Sequence, residues 1–130
     1  MNLSLLFADG EVSAVIPTED GIRIRFAAAH VLQTDVAGER RPLQGFARGV
    51  AIWLAGATWS EPPGDLIGRV SHGRVRVGDR WLTALPLPCS LAGPVTFELT
   101  LGNQSHFTVS AGGLECRFED EPNVSESMAC

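Results

Sequence analysis

The chain has 130 residues, enough for one domain with a real core; 45% are hydrophobic and 19% charged. Its net charge of −5 is uneven: residues 119–130 carry four acids and no Arg, and the rest has ten Arg against eleven acids. A near-neutral body without a basic stripe argues against a nucleic-acid binder, and the absence of Lys reads as GC-rich coding.

The first apolar run, from Leu3, lacks a basic flank and is cut at Asp9. Neither a signal peptide nor a membrane span is expected, and the expected location is cytoplasmic. Leu3, Leu5 and Phe7 form a first strand that ends at Asp9-Gly10. Val12, Ala14 and Ile16 form the next apolar set, followed by the turn cluster 17–21. Ile22, Ile24 and Phe26 then alternate with Arg23 and Arg25. Pairing Ile16 with Ile22 and Ala14 with Ile24 keeps the apolar residues on one face and puts both Arg outside. Residues 27–32 continue the strand or make a single turn, because six residues cannot hold a helix alone.

Residues 33–42 are polar with Gly and Pro, and read as the one long loop; its Glu39-Arg40-Arg41 is a solvated charge run. Residues 46–59 read as a strong strand with Val50, Ile52 and Leu54 on one face and Ala51, Trp53, Ala55 and Ala57 on the other. Apolar residues on both faces imply a strand covered on both sides, a barrel strand or an interface strand. The turn residues 60–65 end it.

Residues 66–88 read as a long hairpin with two possible registers. A two-residue turn at Gly78-Asp79 sets Arg76 opposite Trp81; a three-residue loop sets Val77 opposite Trp81. A bulge near Gly73 would serve both. Pro86-Leu87-Pro88 fits only an edge or an exit from the sheet, and 89–93 reads as a connector. Residues 94–120 show three alternating runs. A loop of three or five residues centred on Gln104 would pair Leu101 with Phe107 and Leu99 with Val109. A Gly112-Gly113 turn would then pair Val109 with Cys116 and Phe107 with Phe118.

The expected fold is therefore all-β: an antiparallel β-sandwich or closed barrel of about eight strands, rich in meanders, with no helix beyond single turns. Residues 1–120 form the single domain, and 121–130 have the composition of a disordered acidic tail.

Chemistry-bearing constellations are sparse. His30, His72 and His106 are far apart, and Cys89, Cys116 and Cys130 lack metal-ligand spacing. The cysteines read as reduced thiols. Ser71-His72 is a neighbour pair whose side chains point to opposite faces of a regular strand. No catalytic residue, metal or cofactor is expected.

Five residues stand out as ligand or interface candidates: Trp53, Trp59, Arg74, Arg76 and Trp81. Arg74, Arg76 and Trp81 together offer guanidinium and indole groups to an anionic or aromatic ligand. Trp53 and Trp59 pack in the core or line a pocket or an interface. The leading functional expectation is a non-catalytic domain acting through a protein partner or as a homo-oligomer. The alternative is a β-barrel with an apolar pocket for a small ligand. A third is an enzyme or metal protein using His30, His72, His106 or Cys89. No contact with nucleic acid or membrane is expected.

Overall fold

The computed structural model describes residues 2–34, 43–59 and 66–119. The expected charge run at 39–41, the turn at 60–65, the tail from 121 and Cys130 lie outside the described residues. The described chain is all strand, with nine strands and no helix.

In order, β1 is Asn2–Pro17, β2 Gly21–Thr34, β3 Leu43–Ala47, β4 Val50–Ala55, β5 Gly68–Val77, β6 Arg80–Leu82, β7 Ala84–Leu87, β8 Cys89–Leu101 and β9 His106–Phe118. Six strands close antiparallel into a barrel in the order β1-β2-β4-β9-β8-β5 and back to β1. The closing seam is short, with Glu11 opposite Arg69 and Val12 opposite Gly68. Of the two expected architectures, the barrel is the one that forms.

The barrel interior is filled by the apolar positions of each alternating run. Phe7, Phe26, Phe97, Leu5, Ile24, Ile52, Leu85 and Leu99 are all buried, and among the described residues no polar or charged side chain is. The Phe7 and Phe97 rings meet edge to face with centroids 5.8 Å apart. Two short strands extend the barrel wall. β3 lies end to end with β4 along β2, the register running unbroken from Ala29–Ala47 to Arg25–Ala51. β7 pairs with the start of β1.

Several expectations change at the level of register. β1 does not turn at Asp9-Gly10: it continues through Asp9, whose φ of 71° opens a bulge rather than a hairpin. The expected β1–β2 register reaches the observed pair Val12–Phe26. A further irregularity between Val12 and Ala14 then shifts it by one, so Val15 meets Ile24 and Ile16 meets Arg23. The run 46–59 is divided at Arg48-Gly49, with Gly49 at φ +80°, and its apolar outer face is no second core. Residues 27–32 are strand, and so are 89–93, the start of β8.

Of the hairpin expected over 66–88 only the tip forms, with the two-residue turn: Val77 faces Arg80, Arg76 faces Trp81 and Val75 faces Leu82, and beyond it β7 leaves β5 to pair with β1. Gly78 alone has positive φ there, +62°, as a type II′ turn demands. Pro86 stands exposed on terminal strand β7, which pairs only with β1.

At the C-terminal meander the loop centre is Asn103, not Gln104. Leu99 therefore meets Phe107 and Phe97 meets Val109, with the expected parity but a two-residue slide. The Gly112-Gly113 hairpin does not form. β9 runs straight through both glycines, with Gly113 opposite Ala92 on β8 and Ala55 on β4. Phe107–Phe118 and Val109–Cys116 are therefore not pairs; Cys116 lies opposite Cys89 instead.

Candidate functional site

The antiparallel ladder sends alternate residues of β5 outward. Arg74 and Arg76 stand there between β6 and β8, with Arg74 opposite Glu98 and Arg76 opposite both Thr96 and Trp81. The two-residue turn folds β6 back so that Trp81 lies against both guanidinium groups. The guanidinium carbon of Arg74 is 3.8 Å from the indole centroid and that of Arg76 is 6.0 Å away.

Charge is not balanced across this face. Arg74 Nε donates to Glu98 Oε1 at 2.8 Å, and Arg69 Nη2 donates to Asp9 Oδ1 at 2.6 Å. Arg76 Nε donates to the Gly78 carbonyl at 3.0 Å. Arg76 and Arg80 have no carboxylate partner among the described residues. Beside Arg76 opens a shallow concavity of about 280 Å3 lined by Arg76, Gly78, Pro94 and Thr96. Trp81 itself is 41% exposed. The face thus offers a cationic, aromatic surface with one exposed guanidinium stacked on the indole.

Trp53 belongs to a separate group. It lies on the outside of the barrel, between Arg23 of β2 and Glu115 of β9, with the guanidinium carbon of Arg117 4.0 Å from its ring centroid. Its neighbour Ala51 is fully buried although it faces outward, because it sits between Arg25 and Arg117 on the flanking strands. Glu119 anchors this group: Arg25 donates to its carboxylate through Nε at 2.8 Å and Nη2 at 3.0 Å, and Arg23 Nη1 lies 3.3 Å away. The hydrogen bonds from Arg25, then the neighbouring guanidinium charges, hold the Glu119 carboxyl below its usual range. An open groove of about 280 Å3 lies alongside, lined by Trp53, Leu54, Leu91 and Leu114 together with Asp20, Glu115 and Arg117.

Trp59 is not with Trp53. It is exposed and follows Thr58, which bridges to Ser110 farther along β9. Neither Trp lines the barrel interior. Of the three readings of the two-face apolarity of 46–59, the barrel strand is the one that forms: β4 sits between β2 and β9, and its second apolar face is an outward Trp and Ala clothed by Arg side chains.

The histidines are also dispersed. His30 stacks on Phe46 at 5.3 Å, with Nδ1 donating to the Ala8 carbonyl at 3.0 Å and Nε2 3.1 Å from Gln44 Oε1. His72 and His106 flank Thr100 in one cross-strand row, and Thr100 Oγ1 lies 2.9 Å from His106 Nδ1. Ser71 Oγ and His72 Nδ1 are 3.2 Å apart. The bulge between Val70 and His72 turns both side chains outward, which strict alternation did not anticipate. Among the described residues no carboxylate is hydrogen-bonded to the far nitrogen of His72. Among the described residues no three His, Cys, Asp or Glu side chains are grouped to hold a metal ion.

No family model, no curated protein and no solved structure matches the chain. No helix of the described residues is long and apolar enough to cross a membrane.

Proposed function

We propose that this barrel is a non-catalytic binding module that acts by protein–protein interaction through the outer face of β5 and β6. The observation that carries the reading is Trp81, 41% exposed beneath Arg74, with Arg76 and Arg80 lacking carboxylate partners among the described residues. Exposed Trp and Arg supply most of the binding energy in protein interfaces, because a rigid indole is desolvated at small entropic cost and a guanidinium pairs bidentately. The partner is a protein surface that presents carboxylates to Arg76 and Arg80 and apolar area to Trp81. A second copy of this acidic chain is one such surface. The test uses immobilised wild type, W81A and R76Q as bait, with light scattering of each in solution. A partner or dimer held by wild type, and weakened at least tenfold by W81A at unchanged melting temperature, supports the reading. Monomeric protein without a partner, or a partner indifferent to both substitutions, sinks it.

A second reading rests on the groove beside Trp53. Its apolar and charged lining residues suit a small amphipathic ligand bound beside Trp53. Titration of apolar ligands against tryptophan fluorescence, with W53F as the control, tests this. A response that persists unchanged in W53F rejects the groove as the source.

A further inference from the structure

The geometry points to a redox modification site at Cys89 and Cys116, where a low-molecular-weight disulfide oxidises the pair to a cross-strand disulfide tying β8 to β9. This inference is independent of the binding face on β5 and β6.

The two cysteines stand directly opposite each other in the β8–β9 ladder. Directly opposed residues of an antiparallel pair share one face, with Cα atoms roughly 4.5–5.5 Å apart. That spacing falls inside the roughly 4.4–6.8 Å range of native disulfides. The strands are therefore already set at a distance that a disulfide bridges, and both thiols are free.

Access is asymmetric. Cys116 is fully buried in the core, next to Ile52 of β4. Cys89 is half-buried at the start of β8, packed on the edge of that core. Burial pushes both thiols up, so the resting pair is protonated and persists as a dithiol until an oxidant reaches Cys89.

The reaction balances as two exchanges. Cys89 loses its proton to solvent, and its thiolate attacks one sulfur of the small disulfide. That S–S bond breaks, one small thiol leaves with a proton, and a mixed disulfide remains on Cys89. The Cys116 thiolate, its proton also lost, then attacks Cys89 Sγ. The Cys89–Cys116 bond forms and the second small thiol leaves. Two electrons pass from the protein pair to the small disulfide. The structural consequence is a covalent tie between the first residue of β8 and its partner on β9.

The experiment incubates C130S protein with glutathione disulfide under native conditions. The expected product has lost two hydrogens in intact mass, yields a peptide cross-linked between Cys89 and Cys116, and melts about 5 °C higher than the reduced form. The C89S/C130S variant, folded by circular dichroism, forms no intramolecular disulfide. Three results would overturn the inference: a glutathione adduct on Cys89 that never resolves, oxidation only after denaturation, or an oxidised form that melts lower than the reduced one.

Discussion

Glu119 gathers two guanidinium groups from β2 and closes the outer face over Ala51 and Trp53. Its folded carboxyl titrates below the usual value of 4.5, chiefly through the hydrogen bonds from Arg25. A depressed acid contributes stability above its unfolded pKa and loses it as pH falls through the folded value. E119Q should therefore cost about 1 kcal/mol at pH 7. The gap between variant and wild type should narrow as pH falls below 4.5. Urea denaturation at pH 7 and at pH 3 measures both. Asp9 behaves alike at lower stakes: the Arg69 guanidinium holds its carboxyl below the usual range, but the pair is exposed.

Single glycines also set limits at this scale. A Cβ on Gly73 would lie 2.5 Å from Leu99 Cδ2 and 3.0 Å from Phe7 Cβ, in the packed interior. G73A should cost about 1–3 kcal/mol by overpacking, read as a lower melting temperature with unchanged far-ultraviolet dichroism. On Gly21 the added carbon would land on the Leu54 carbonyl, which is backbone and cannot rotate aside. G21A should therefore disturb the β2–β4 ladder itself and cost more than G73A in the same melt.

The strands are long because bulges, not turns, absorb the breaks in their alternation. In β9 the inward set passes from Phe107, Val109 and Ala111 to Leu114 and Cys116 across Gly112-Gly113. In β5 it passes from Val70 to Gly73 across Ser71-His72, and in β1 from Phe7 to Gly10 across Asp9. A two-residue hairpin and a one-residue bulge both invert parity, so apolar spacing alone does not separate them. That is why Asp9-Gly10 and Gly112-Gly113 read as turns. The deciding quantity is the neighbour: β9 has β4 on one side and β8 on the other along 113–116, and a hairpin there would forfeit both ladders. Gly113 is suited to that crowding, since a Cβ on it would lie 3.3 Å from the Leu91 carbonyl. The Gly78-Asp79 turn was legible as one of two registers, and the Arg76–Trp81 contact that makes the candidate face depends on that choice.

At the scale of the whole molecule, closure is what makes the small core sufficient. The ring removes free edges from six strands and shuts the apolar residues of all of them into one interior. Phe97 touches Phe7 across that interior, so F97A should cost about 3–5 kcal/mol. Chemical denaturation should show one cooperative transition at a lower midpoint, because every wall of the barrel shares the cavity that the substitution leaves. Two separate transitions would contradict a single shared core.

The alternation of apolar and polar residues by itself determined that the fold is all-β, which side of most strands is apolar, and that Arg74, Arg76 and Trp81 share a hairpin. These are local properties, set by a side-chain period of two and by Gly-Asp turn chemistry. Only the tertiary structure decided that the sheet closes into a barrel, that Trp53 stands outside it under Arg117, and that Cys89 faces Cys116. Each of those depends on which strands become neighbours and on where a bulge shifts the register by one residue. A shift of one turns a face over without changing the pattern of residues that produced it.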